Sequence, residues 1–205
     1  MERIQINFQN SFVGRGSSSA EEENLTFFEA VGSLPKLHQL VIVKHNNLNL
    51  YRLPAQALAR ALHAACCDTR ARKQTQTLQE LLLSGIELSG NHRHFVELAE
   101  KIRKQKSLER ITFDGCRISH ETRTMAATAF APVVSALASL SNLQSVVISA
   151  KRWASLGELT SDSVSQLLAS SSIRQLTLLG FDIQDELIVA LSQSQACNES
   201  VSCLW

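Results

Sequence analysis

The chain has 205 residues, 44% of them hydrophobic and only 5% aromatic, a composition ample for a buried core and lean for an antiparallel β-sandwich. Its formal net charge of +1 supplies no field that would draw nucleic acid or an anionic membrane surface. No apolar run approaches the roughly 18–20 residues needed to cross a bilayer.

The opening Met1-Glu-Arg-Ile-Gln-Ile lacks the basic-then-apolar order of a signal peptide. Five cysteines, an odd number without framework spacing, read as small buried hydrophobes in a reducing compartment. Cytoplasmic or nuclear residence is therefore expected.

In chain order, the first element is a degenerate strand carrying Met1, Ile4 and Ile6, followed by a Gly/Ser-rich loop at Asn10–Ala20. Phe27 and Val31 then stand four apart, the spacing of one helix face, ahead of a strand at Leu37/Leu40/Ile42. Pro54 suits the first turn of a helix bearing Leu58, Leu62 and Ala65. Asp68–Thr77, with Arg70, Arg72 and Lys73, reads as an inserted surface loop before a strand at Leu78/Leu81/Leu83. Leu98 and Ile102 mark the next helix.

The clearest strand follows: Leu108-Glu-Arg-Ile111-Thr-Phe113-Asp-Gly-Cys116-Arg-Ile118, apolar at its first, fourth, sixth, ninth and eleventh places. That spacing describes a short strand that turns inward and leaves toward a helix. Met125–Leu140 should be that helix, with Val133 and Leu137 inward and Pro132 kinking or splitting it. Leu143/Val146/Ile148 form a further strand, with an irregular turn at Lys151-Arg-Trp153. Ser161-Asp162 opens a helix carrying Val164 and Leu168, and Ile173/Leu176/Leu178 follow as a strand. Gln184-Asp185 should start a last helix, and Val201-Ser-Cys-Leu204-Trp205 is an unfinished strand.

First places thus fall at residues 1, 37, 78, 108, 143, 173 and 201, at intervals of 28 to 41 residues. One strand and one helix cannot bury their apolar faces alone, so the units must stack on one another. On the Leu-x-x-Leu-x-Leu core, the ninth-place Cys116 and the junction Asn198-Glu-Ser-Val201-Ser-Cys-Leu204, the chain resembles the leucine-rich repeat superfamily. The nearest pattern is its ribonuclease-inhibitor-like branch, with units of about 28–29 residues. Ile86 and Phe181 replace the usual ninth-place residue, which implies uneven turns and a weak side-chain ladder.

The resemblance implies an α/β leucine-rich-repeat solenoid: a right-handed β-α superhelix in a horseshoe arc, with a parallel sheet on the concave side and helices on the convex side. Residues 1–205 would be a single domain of about six units plus the truncated strand at 201–205. Odd strand places would face the concave surface, which such folds use for binding. Place three holds Arg3, Gln39, Glu80, Arg110, Ser145 and Gln175; place five holds Gln5, Val41, Leu82, Thr112, Val147 and Thr177; place seven holds Asn7, Val43, Ser84, Asp114, Ser149 and Leu179. Val41, Val43, Leu82 and Val147 form an apolar centre rimmed by Glu80, Arg110 and Asp114, the arrangement of a protein interface. With Gln39, Thr112, Gln175 and Thr177 they make up the candidate partner-binding set.

No catalytic, metal or cofactor residues are assigned. Gly14-Arg-Gly-Ser-Ser-Ser lacks the lysine of a phosphate-cradling loop, and His92-Arg-His94 points its imidazoles apart with no third ligand. No Gly-x-Ser-x-Gly elbow appears. Lys101, Arg103, Lys104 and Lys106 end a helix, where the dipole favours cations, without the aromatic interleaving of a nucleic-acid surface.

Two functional readings follow. The first is a non-catalytic module that binds a protein partner through the concave sheet, without nucleic acid or membrane. The second is a regulatory or recognition segment of a larger protein, such as a ubiquitin-ligase adaptor, an immune-type receptor or a GTPase-activating protein. Both ends should be uncapped, leaving Ile4, Ile6, Leu204 and Trp205 poorly covered and open to self-association or to continuation of the stack.

Overall fold

The computed structural model describes residues 2–8, 18–44, 51–66, 77–119, 129–149 and 161–179. Within them strands and helices alternate: β1 (Glu2–Phe8), α1 (Ser18–Gly32), β2 (Leu37–Lys44), β3 (Tyr51–Pro54), α2 (Ala55–Cys66), β4 (Glu80–Ser84), β5 (Ile86–Ser89) and α3 (His92–Arg103) come first. Then follow β6 (Arg110–Asp114), β7 (Arg117–Ser119), α4 (Ala131–Ala138), β8 (Ser145–Ser149), α5 (Ser161–Leu168) and β9 (Gln175–Leu179).

Six strands form one sheet in the order β1-β2-β4-β6-β8-β9, every pair parallel. A parallel neighbour requires the chain to cross back between strands, and helices lie along that return. Successive helices pack side by side, α1 on α2, α2 on α3, α3 on α4 and α4 on α5.

The apolar alternation sets the pairing. Ile4, Leu40, Leu81, Ile111, Val146 and Leu176 are Cα partners across all six strands, as are Ile6, Ile42, Leu83, Phe113, Ile148 and Leu178. A one-residue slip would carry an entire row to the opposite face. From β2 to β8 these residues are at most 1% exposed, and they share one core with Leu58 and Leu62 of α2, Leu98 and Ile102 of α3, Val133 and Leu137 of α4, and Val164 and Leu168 of α5. Each such side chain contributes about 1.5–3 kcal/mol through burial.

Polar groups at the helix-to-strand turns repeat with the units. The Gln79, Glu109 and Gln144 carbonyls each accept two backbone N–H groups from the following unit, at 2.8–3.1 Å. The side chain just before each first place donates to a carbonyl of the preceding unit: Thr77 to Leu37 (2.9 Å), Ser107 to Leu78 (2.8 Å), Asn142 to Lys106 (2.6 Å) and Ser172 to Leu140 (2.6 Å). A small hydroxyl or amide ahead of the first-place residues Leu78, Leu108, Leu143 and Ile173 is the sequence signal for this ladder.

Several expectations are corrected. Phe27 is 48% exposed, while its neighbour Phe28 is fully buried, so the inward face of α1 keeps the expected Val31 and takes Phe28 in place of Phe27. Gly32 explains the exchange: a Cβ there would collide with the Ala61 backbone of α2, so the two helices close on a glycine rather than on Phe27. Ser18–Ala20 belong to α1 rather than to a loop. Pro54 ends β3, immediately before α2, instead of occupying its first turn. Pro132, expected to kink or split its helix, stands in the first turn of α4, where its missing N–H costs nothing, just past a break at Phe130 that parts α4 from helical Ala129; what precedes Ala129 lies outside the described residues.

The uneven turns expected after each strand include a second sheet, the parallel strands β3-β5-β7. Gly85 and Gly115, at φ of +66° and +58°, link β4 to β5 and β6 to β7, a backbone that glycine adopts without strain. Ile86 and Cys116 are both fully buried just past those glycines, and the Cys116 thiol donates to the Leu83 carbonyl at 3.3 Å. Ile4 and Ile6 are half-buried against the core, whereas Leu204 and Trp205 lie outside the described residues. So do Lys151–Trp153, Phe181, Gln184-Asp185, the strand expected at 201–205 and most of the two expected loops.

No described helix is long and apolar enough to cross a membrane.

Candidate interaction face

Even strand places point into the core with the helices; odd places therefore stand on the opposite side of the sheet. The three odd rows run unbroken across all six strands. Arg3, Gln39, Glu80, Arg110, Ser145 and Gln175 are partners in one row, Gln5, Val41, Leu82, Thr112, Val147 and Thr177 in the next, and Asn7, Val43, Ser84, Asp114, Ser149 and Leu179 in the third. Every candidate partner-binding residue is thus brought onto one surface.

Their exposure differs. Arg110 and Gln175 are exposed; Gln39, Val43, Glu80, Leu82, Thr112, Asp114 and Val147 are half-buried. Val41 and Thr177, at 2% and 8%, are buried, with row neighbours beside them and strand neighbours above and below. The apolar centre read from the sequence therefore loses Val41 and keeps Val43, Leu82 and Val147; Leu82, Thr112 and Val147 form an accessible row across three strands.

Polar side chains on the face bind one another in rows. Arg3 donates to Gln5 Oε1 (3.2 Å) and Gln5 to Asn7 Oδ1 (2.9 Å) along β1. Across strands, Arg110 pairs with Glu80 at 3.4 Å, the Ser84 hydroxyl donates to Asp114 at 3.0 Å, and the Ser145 hydroxyl donates to Gln175 Oε1 at 3.3 Å. Exposed pairs of this kind add at most about 1 kcal/mol each; their larger effect is to hold the face in one arrangement.

The second sheet adds a charged row that sequence reasoning missed. Arg52, Glu87 and Arg117 are successive Cα partners, and Arg117 forms an ion pair with Glu87. Only three- and four-residue strands carry them, too short for a period to show.

On the helix side, Glu29, Arg60, His63, Glu97 and Lys101 line a cavity of about 290 Å³, with Arg60 and Glu29 3.6 Å apart. Burial, with Lys101 and Lys104 nearby, holds the His63 imidazole below its ordinary pKa, against the smaller opposing pull of Glu29 and Glu97. Burial also raises the Tyr51 phenol, which stacks on Phe8 at 3.6 Å and donates to Asn24 Oδ1 at 3.2 Å. His94, once weighed as a metal ligand, caps α3: its N–H donates to Asn91 Oδ1 (3.1 Å), and its ring nitrogen accepts from the Asn91 N–H (3.4 Å). Among the described residues, no group of three or more His, Cys, Asp or Glu is placed to hold a metal.

No family model matches the chain, and no curated protein does. Among solved structures it is similar to leiomodin-1 actin-binding site 2, at 14% identity and a TM-score of 0.48, over 87% of this chain and 88% of that one. It is also similar to the tropomodulin C-terminal domain of Caenorhabditis elegans, at 10% identity and a TM-score of 0.45, over 87% and 93% of the two chains.

Proposed function

We propose that the chain is a leucine-rich-repeat solenoid of the ribonuclease-inhibitor-like type and acts as a non-catalytic module that binds a protein partner through the sheet face opposite its helices. The observation that carries this reading is the register of the three odd rows. They set a broad surface, six strands wide, beside no helix of the described residues. Its half-buried apolar strip lies between polar rows already tied by side-chain bonds, the centre-and-rim pattern of protein interfaces. Backbone donors and acceptors of the inner strands are satisfied within the sheet, so recognition falls to side chains.

A photo-crosslinking residue placed at Thr112, and separately at Arg60 on the helix side, tests the assignment. Crosslinks to a partner from Thr112 and none from Arg60 are expected, with the Thr112 product lost in the Leu82→Glu/Val147→Glu double variant while its circular dichroism spectrum is unchanged. A partner captured from Arg60 instead would move binding to the helices.

A further inference from the structure

We infer that the occupant of this face is an amphipathic helix of the partner, lying across the strands along Leu82, Thr112 and Val147; this rests on the sheet-face reading above. The direction of the strip decides the orientation. Along each of β4, β6 and β8 the face reads polar, central, polar: Glu80-Leu82-Ser84, Arg110-Thr112-Asp114, Ser145-Val147-Ser149. A segment laid along a strand would meet one apolar or methyl-bearing contact between two polar ones. Across the strands, Leu82, Thr112 and Val147 are direct partners, two apolar side chains with a methyl-bearing threonine between them and no charge in the row.

Spacing then selects the conformation. Neighbouring strands lie about 4.8 Å apart, and a helix returns a side chain to the same face about every 5.4 Å. The mismatch over the two intervals is about 1.2 Å, within the reach of side-chain adjustment. An extended segment crossing the strands repeats a face about every 6.6 Å and would be out of step by about 3.6 Å. Width agrees as well. Rows three and seven are four residues apart, about 13 Å along the strand, and a helix with its side chains is about 10–12 Å across.

Charge fixes which way the helix is turned. Arg110 flanks the strip on one side, with 53% of its side chain exposed while it pairs with Glu80. Asp114 flanks it on the other, holding the Ser84 hydroxyl. The complementary partner helix carries an apolar residue at each turn and basic residues on the Asp114 side; on the other side Glu80 and Glu109 balance Arg110.

The test selects binders of the intact chain from two displayed peptide libraries. One contains helix-forming 18-residue peptides with one apolar position per turn and Glu/Lys-randomised flanks; the other contains alternating extended peptides of equal length. Helical peptides should enrich, with Lys gathered on one flank. Leu82→Glu or Val147→Glu should weaken a selected peptide at least tenfold by fluorescence anisotropy. The milder Arg110→Gln/Asp114→Asn pair, which leaves the apolar strip intact, should weaken it several-fold and flatten its salt dependence. Enrichment of extended peptides that lose binding on the same substitutions overturns the helix and leaves the sheet-face reading standing. Binders from either library that ignore Leu82→Glu, Val147→Glu and the Arg110/Asp114 pair overturn both. Enrichment from neither library overturns the helix alone, since the crosslinking experiment judges the face independently.

Discussion

Gln105 shows how far a single side chain can depart from the repeat. It is fully buried at the place where the next unit has Leu140, three residues ahead of the first-place leucine. Its amide nitrogen donates to the Leu62 carbonyl and contacts the Cys66 sulfur at 2.8 Å, tying α3 to α2. Its Oε1 has no partner among the described residues. An orphaned buried acceptor costs about 1–3 kcal/mol, while the bond to Leu62 returns only about 1 kcal/mol net. Leu62 O can also take its ordinary helical partner when the glutamine is gone. Gln105→Leu is therefore expected to be neutral or stabilising, whereas Gln105→Ala, which keeps neither bond nor volume, should lose about 2 kcal/mol or more. Urea denaturation of the native chain and the two variants checks the sign: a leucine variant clearly less stable than the native chain would show that the amide bond dominates. Nothing in the local sequence marks Gln105, because a glutamine between lysines reads as surface until its helix neighbours are known.

At the scale of elements, the joints between the two sheets matter most. Gly85 turns β4 into β5 at φ +66°, and its amide donates to the Asp114 carbonyl at 2.9 Å. A Cβ there would stand 2.6 Å from the Lys44 carbonyl. Gly85→Ala must therefore meet a left-handed penalty of about 1–2 kcal/mol plus that collision. Gly115→Ala, at φ +58°, should lose at least the conformational part. Both variants should show lower urea midpoints with unchanged slopes, Gly85→Ala the lower; equal midpoints would mean that the β2 side yields freely to a methyl group. These glycines also mark where sequence reading stopped. The first-sheet strands were legible because Leu40/Ile42, Leu81/Leu83 and Ile111/Phe113 alternate inside strands of five residues or more, and the odd rows followed from that phase. The second sheet was not, because Ile86–Ser89 and Arg117–Ser119 are too short to display a period. The phase of α1 failed for a tertiary reason, since Phe27 and Phe28 are equally apolar and only the close approach at Gly32 selects between them.

For the whole molecule, the proposed solenoid predicts that stability is a sum over neighbouring units instead of a property of one centre. The row Ile4–Leu40–Leu81–Ile111–Val146–Leu176 samples that sum with side chains in equivalent positions. Ile111 is fully buried, with β4 and β8 on either side of its strand; Ile4 is only half-buried, and β1 pairs with β2 alone among the described strands. Ile111→Ala should cost about 2–5 kcal/mol, and Ile4→Ala less than half as much, because fewer neighbours close around it. The loss should also spread along the stack in order. Native-state hydrogen exchange of Ile111→Ala is expected to speed the amides of β6 most, those of β4 and β8 next, and those of β1 least. The same substitution at Ile4 should release β1 and leave β6 protected. Equal acceleration of every strand by Ile111→Ala would instead describe a single all-or-none unit. In that case, the graded burial across the row would set the cost of each substitution but not the path by which the fold opens.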